Sequence, residues 1–492
     1  MSDPFVVVGA DAAGLSAASK FRREAPDREV VVFEKGRWIS YAYCGMPYFI
    51  AGYVDRMSDL LSLSPNEVDE RGIDLRRESE VVAVDPDAKR VTVEGPDGDR
   101  SEQAYGDLLV ATGARATTGP FDVRGLDGAF TLHNMDAAAA IDAYVAEPDA
   151  YDPDRADVSA VDRERVERNA AMPAPETVAV VGGGYVGVEV AEALSERGLD
   201  VHVFHRSGHL LSPFGETVGK RVAEALEAEG VAVHTDTPVE ALVGDDRIEA
   251  VEVGTGVETD GEEESETDGA TPDRVPVDMA VVGVGIRPNT DLLDGTGVEL
   301  GPGEAIRVDD RGRTSLPDVY AAGDCATARH AVTGEPHWLP LGLTANRAGR
   351  AIGATVAGDP TPVGDIAGTA AVKAFDTEAA RVGMLDREEA EAAGFDPVTE
   401  TVTAGSRSGY YPGAAETDVT LVADRDTGRL LGGSIVGTDR AAVRIDTLAT
   451  AIEADMTVSE VERLDLAYAP PFSPVWDPIL VAAKVLNGTI ED

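Results

Sequence analysis

One pattern occurs twice in this chain and constrains its fold more than any other feature. The run FVVVGADAAGLSAASK (5–20), followed by VVVFEK (30–35), returns as VAVVGGGYVGVEVAEAL (178–194), followed by VHVFHR (201–206). Each copy reads as a buried strand, a glycine-containing turn, an amphipathic helix and a second strand. Each copy has the layout of a βαβ unit, so the repeat predicts an α/β fold with two such units. In such a unit the turn brings backbone N–H groups and the helix N-terminus against a pyrophosphate, so two units imply two bound dinucleotides.

Charge narrows the partners. Asp and Glu number 90 against 42 Lys and Arg, a net charge of −48, which argues against nucleic acid and against an anionic membrane. Hydrophobic residues make up 43% of the chain, so the acidity is a skin on a folded protein. The acid-rich, Lys-poor balance resembles proteins of halophilic cytoplasms. Two cysteines cannot form a disulfide framework, and no metal site is expected. MSDP leads directly into FVVVGA with no signal-peptide pattern, and no apolar run approaches the roughly 20 residues of a membrane span. A cytoplasmic location is expected.

Between the two units, the segment 147–176 is charged and bracketed by prolines, and reads as a surface excursion or linker. The acidic segment 254–273 reads as a solvated loop between two strands. After about residue 360 the pattern changes to alternating strands followed by helices, among them one with Ile445, Leu448 and Ile452 on a single face. This predicts an α+β domain without a dinucleotide fingerprint.

The first turn, Gly9-Ala10-Asp11-Ala12-Ala13-Gly14, lacks the middle glycine of G-x-G-x-x-G. A carboxylate beside a pyrophosphate is tolerable only if Asp11 points away. Glu34 supports the motif, because it ends the second strand at the spacing of an acid that grips ribose hydroxyls. Together with LLVATGA (108–114), VVGVGIRPNT (281–290) and VYAAGDCA (319–326), the chain resembles the two-dinucleotide flavoprotein reductases over nearly its whole length. The resemblance implies FAD at the first unit, held by Gly9, Asp11, Ala12, Ala13, Gly14, Glu34, Lys35, Thr112, Gly113 and Asp324, with Cys325 as a packing residue. It also implies three domains: an FAD domain in two segments (1–120 and 285–358), an NAD(P)H domain (121–284) and a C-terminal dimerisation domain (359–492).

The second turn, Gly182-Gly183-Gly184-Tyr185-Val186-Gly187, is a full fingerprint with Gly182, Gly184 and Gly187 in place. Its second strand ends in His205 and Arg206 where NAD-binding units carry an acid. A guanidinium pairs with a 2′-phosphate, so NADPH is expected, with NADH as the alternative.

In SYAYCGMPYFI (40–50), Cys44 stands ten residues beyond Glu34, where flavin disulfide reductases begin the helix bearing their redox thiol. A helix N-terminus favours the thiolate, so a lowered pKa is expected. Those reductases have a second cysteine five positions on; here that position is Phe49. A lone thiol cannot store two electrons as an internal disulfide, which leaves a mixed disulfide or a sulfenic acid. The pattern Ser40-x-x-x-Cys44-x-x-Pro47-Tyr48 resembles coenzyme A disulfide reductase, within the single-cysteine group that also contains NADH oxidase. Oxidases and peroxidases of that group place a histidine where this chain has Ala12, which favours the disulfide reductase. Tyr43 departs from the Asn of some coenzyme A disulfide reductases. The last histidine is His337, so no C-terminal imidazole can serve as proton donor. The resemblance instead implies that Tyr410 and Tyr468 reach the partner subunit's thiol in a homodimer with shared sites. It places coenzyme A contacts at Ser16, Lys20, Arg23, Ser40 and Tyr43. A salt bridge from the basic helix face to Glu24 or Glu29 competes with that reading. Sulfenic acid chemistry, persulfide or polysulfide reduction and a flavin redox sensor are the alternative functions.

Overall fold

The computed structural model describes residues 3–146, 151–156, 161–254 and 273–491. Its first sheet has five parallel strands in the order Val319–Ala321, Asp107–Val110, Phe5–Val8, Val30–Phe33, Asp74–Arg76. Its second repeats that plan in the order Ala129–Phe130, Met279–Val282, Thr177–Val181, Asp200–Phe204, Ala232–His234. In both, the strand before the glycine turn lies at the centre with the strand after the helix beside it. Phe5–Val8, Val30–Phe33 and Met279–Val282 are buried at every residue, as strands covered on both faces require. The repeat read from the sequence is therefore a repeat of topology.

The helix after the first turn, α1 (Ala12–Glu24), packs on Gly342–Ala357 closely enough that a Cβ on Gly349 would overlap the Ala13 carbonyl. Next comes α2 (Met46–Ala51), preceded by a 3₁₀ turn, Tyr43–Gly45, that holds Cys44. α2 packs against α3 (Met135–Val145) and against the helix that opens on the second turn. The third sheet is antiparallel, in the order Ala370–Ala374, Thr377–Gly383, Leu430–Gly437, Glu416–Asp424, Pro397–Gly405. Ile445, Leu448 and Ile452 are all buried in its flanking helix Ile445–Glu453, as their spacing requires. The apolar cores follow this division, although α2 joins the core of the second unit through Phe49 and Ile50.

One expectation needs revision and another lies beyond what is described. The segment 147–176 is more than a surface excursion: Ala156, Val161 and Val166 are buried in the same core as α3, and α4 (Arg163–Ala170) packs on that helix. Its prolines and charges hide these spaced apolar anchors. The acidic segment 254–273 lies, apart from its two ends, outside the described residues.

Candidate active site

The two glycine turns share one geometry. Gly9 and Gly182 have φ of 106° and 108°, which a side chain would strain, and a Cβ on Gly14 or Gly187 would overlap the carbonyl oxygen of Gly9 or Gly182. These glycines let helix and strand touch. Gly184 has open space where its Cβ would be, so a pyrophosphate can approach the backbone there.

Asp11 occupies the corresponding place in the first turn. It is enclosed, and its Oδ2 has no hydrogen-bond partner among the described residues. Burial pushes its pKa up to about 7, assisted by Glu34 and opposed by hydrogen bonds from the Tyr43 hydroxyl and the backbone N–H groups of Ala12 and Tyr41. Tyr43 stacks on Tyr41 with ring centroids 4.4 Å apart. Thus the two unusual residues of the site, Asp11 and Tyr43, meet each other. Glu34 faces the same turn: Oε2 accepts from Ala10 N–H at 2.9 Å and Oε1 from Gly36 N–H at 2.8 Å. Lys35 is exposed beside it.

Ser40 ties the thiol segment to this turn. Its N–H donates to Ala10 O at 3.0 Å, and its φ of 48° bends the chain back. Cys44 is exposed, whereas Cys325 is fully buried with its thiol toward Val110 O, a packing residue in fact. Contrary to the expected depression, the pKa of Cys44 is raised, first by partial burial and then by the Glu189 carboxylate, with a smaller push from Asp324. Among the described residues no cation faces the sulfur closely enough to reverse that sign. Phe49 is fully buried where a second thiol would stand.

Thr112 and Gly113 form a bracket with Asn289: Thr112 Oγ1 donates to Asn289 O at 2.6 Å, and Asn289 Nδ2 returns a bond to Thr112 O at 2.9 Å. Gly113, with φ 65°, leaves the space beside it open. Burial alone lifts the Asp324 pKa to about 6, and Trp38 Nε1 is buried without a partner among the described residues. Open glycine backbone, unpartnered buried polar atoms and an acid at the second strand end are what a dinucleotide needs to find. The first unit fits FAD.

At the second unit His205 does not project free. Its Nδ1 accepts the Gly183 N–H at 3.1 Å, and burial lowers its pKa, so the ring is neutral and committed to the turn. Arg206 is exposed beside it.

The remaining residues divide. Ser16 Oγ donates to Asn346 Oδ1 at 2.7 Å and Lys20 pairs with Glu24, the competing explanation for that lysine, while Arg23 is exposed. Tyr410 and Tyr468, 58 residues apart, come close enough for the Tyr410 hydroxyl to raise the Tyr468 pKa, and both are exposed. Arg444 holds the two segments: it donates to Ser406 O at 2.6 Å and to Phe472 O at 3.2 Å while paired with Asp477. Around them Tyr411, Phe472, Val475 and Trp476 are exposed apolar surface.

Nothing in the sequence singles out Glu189 or Asn289. Glu189 lies in α5 (Tyr185–Glu196), two residues beyond the last glycine of the second turn. Burial and Glu192 push its pKa up to about 7, with a hydrogen bond from Tyr48 opposing. Its position on the Cys44 side of that turn is a tertiary fact. Asn289 is visible inside VVGVGIRPNT, but no feature of that run separates it from its neighbours.

The family model for pyridine nucleotide-disulphide oxidoreductases matches residues 3–348, and the model for the dimerisation domain of the same family matches residues 369–478. The chain is 34% identical, over 99% of both chains, to the NAD(P)H coenzyme A polysulfide/persulfide reductase of Pyrococcus horikoshii. To the coenzyme A disulfide reductase of Staphylococcus haemolyticus it is 29% identical over 95% of this chain and 96% of the other. Its structure superposes with a TM-score of 0.86 on the reduced CoADR-RHD of Bacillus anthracis, at 28% identity over 100% of this chain and 81% of that one. The chain therefore belongs to the pyridine nucleotide-disulphide oxidoreductase family, as an FAD-dependent oxidoreductase that uses a nicotinamide dinucleotide.

Proposed function

We propose that the chain reduces sulfur–sulfur bonds of small thiols, coenzyme A disulfide first, through a mixed disulfide at Cys44. The observation that carries this reading is the lone exposed thiol in the turn Tyr43–Gly45, with Phe49 buried where a partner would stand. The second sulfur must then come from the substrate. The 34% identical Pyrococcus horikoshii relative favours a second reading on the same residues, attack on a persulfide or polysulfide.

FAD is assigned to Gly9, Asp11, Ala12, Ala13, Gly14, Glu34, Lys35, Thr112, Gly113 and Asp324, in a domain of residues 1–120 and 285–358. The nicotinamide dinucleotide is assigned to Gly182, Gly184 and Gly187 within 121–284, with Arg206 favouring NADPH. The chemistry supplied by bound FAD is passage of an electron pair from the nicotinamide to sulfur. Cys44 as thiolate attacks one sulfur of the substrate; the substrate S–S bond breaks, one thiolate leaves and the Cys44 mixed disulfide forms. An electron pair then breaks that mixed disulfide, the second thiol leaves with a proton, and the Cys44 thiolate returns. Tyr410 and Tyr468 of the partner subunit orient or protonate the leaving thiolate, a phenol doing what an imidazole does elsewhere. Ser40, Tyr43 and Arg23 are the contacts proposed for coenzyme A. The acidic surface suits a salt-rich cytoplasm.

Anaerobic NADPH oxidation tests this: coenzyme A disulfide should stimulate turnover, and Cys44→Ser should abolish it while FAD stays bound. Brisk turnover on oxygen with no response to disulfide or persulfide would sink the proposal. Mass spectrometry of the unreduced protein should find a thiol adduct on Cys44, and the added mass identifies the thiol.

A further inference from the structure

Asp142, in α3, is only 2% exposed. A carboxylate so enclosed requires countercharge. Two arginines from distant parts of the chain supply it: Arg155 Nε lies 3.3 Å from Oδ2, and Arg197 Nη1 lies 3.1 Å from Oδ1. Each guanidinium also reaches the last turn of α2. Arg155 Nη2 donates to Phe49 O at 2.9 Å, and Arg197 Nη1 donates to Ile50 O at 3.0 Å. Arg155 further covers the Phe49 ring at 4.8 Å, and its carbonyl accepts the Met57 N–H at 2.9 Å. A third tie runs from the Tyr53 hydroxyl to Glu196 Oε1 at 2.5 Å.

These contacts add charged ties to the apolar packing by which Phe49 and Ile50 already join α2 to the second unit. α2 follows Cys44 and belongs to the first dinucleotide unit by sequence; Asp142, Arg155 and Arg197 all come from the range assigned to the second. Asp142, Arg155 and Arg197 alone carry one carboxylate and two guanidiniums, an excess of one positive charge, with the Glu196 carboxylate tied in beside them through Tyr53. The six residues of α2 put that charge roughly 9 Å along the helix from the thiol turn. At that range, with the thiol exposed, solvent weakens the field at the sulfur but does not change its sign. The carboxylates on the other side are Glu189 of α5 and Asp324 of the first unit, with the Tyr48 phenol beside Glu189. Tyr151 feels the charge of Asp142 and Arg155, and of Asp152 as well.

We propose that Asp142, Arg155 and Arg197 are positioning residues that clamp the thiol-bearing segment to the nicotinamide unit and set the positive charge opposing Glu189 and Asp324. The inference rests on the reading of Cys44 as the redox thiol.

Sign separates this role from a purely structural one. Cys44 is the exposed thiol and Cys325 is fully buried, so iodoacetamide labelling of the FAD-loaded enzyme across pH reads the Cys44 thiolate. Arg155→Met or Arg197→Met removes a cation, so the labelling midpoint should move up, with labelling at least about 3-fold slower below it. Asp142→Asn leaves two cations unopposed, so the midpoint should move down, although it too removes ion pairs. Arg155→Lys should recover the wild-type profile. If Arg197→Met does not accumulate as soluble protein, Arg155→Met against Asp142→Asn carries the comparison. Midpoints that stay put, or move the same way in both, while only thermal stability falls, would overturn the clamp. A Cys44→Ser enzyme that still reduced disulfides would instead remove the redox reading and leave the labelling comparison untouched.

Discussion

Asp11 stands in the first turn where the second has Gly184, and the two positions show how one backbone serves two neighbourhoods. At Gly184 the space is open; at Asp11 a carboxyl is enclosed and met by Tyr43. With a pKa pushed up to about 7, the group is largely neutral in mild acid and ionised in mild base. The folded-state pKa lies above the unfolded one. Its contribution to stability is thus complete below about pH 4 and is lost as pH rises through about 7. An ionised Asp11 also repels the pyrophosphate assigned to the same turn. Wild-type enzyme should therefore release FAD faster at about pH 8.5 than at about pH 5.5, by roughly 10-fold if that repulsion costs the cofactor about 1.4 kcal/mol. Asp11→Asn should flatten that dependence. Flavin fluorescence after dilution measures it, and equal pH dependence in both proteins would refute the role given to Asp11. The departure is visible in GADAAG; its partner is not, because 32 residues separate Asp11 from Tyr43 and only the fold brings the phenol over the turn.

At the scale of the element, the proposal places the choice between nicotinamide dinucleotides at the strand end after the second turn. His205 is engaged by Gly183 N–H, so the cation left to meet a 2′-phosphate is Arg206. A charge-assisted contact of this kind is worth about 1.5–3 kcal/mol. Arg206→Glu should raise KM for NADPH by roughly 10- to 100-fold through loss of the pair and added repulsion, with little change for NADH. Steady-state kinetics with both dinucleotides checks it; equal effects on the two would remove Arg206 from the specificity site. Elements like this one are legible in the sequence because strand, turn and helix lie within about 30 residues and signal locally. The same holds for Ile445, Leu448 and Ile452, whose helical spacing places them in the core. The segment 147–176 reads falsely as surface because Ala156, Val161 and Val166 are spread among charges and find their core only against α3. The place of Cys44 is legible, but its electrostatics depend on Glu189, 145 residues away, and no local pattern carries that.

In the whole molecule, Tyr410 and Tyr468 lie paired on an exposed apolar face of the dimerisation domain. Neither phenol is among the groups acting on Cys44 in its own chain, and the proposal is that the pair serves the other subunit. Two-fold symmetry makes this testable, because an isologous dimer has two identical sites, each built from both chains. Pair a subunit carrying Cys44→Ser with one carrying Tyr410→Phe and Tyr468→Phe, and isolate the hybrid through different tags on the two chains. One site then combines an intact thiol with intact tyrosines, and the other has neither. Each parental homodimer should be nearly inactive, whereas the hybrid should recover about half the wild-type rate, one working site of two. If the tyrosines served the thiol of their own chain, no site in the hybrid would be complete and its activity would stay at the level of the parents. Arg444 spans the two tyrosine segments through Ser406 and Phe472, so the phenols are held as one unit. Dissociation of the dimer should then cost both sites at once.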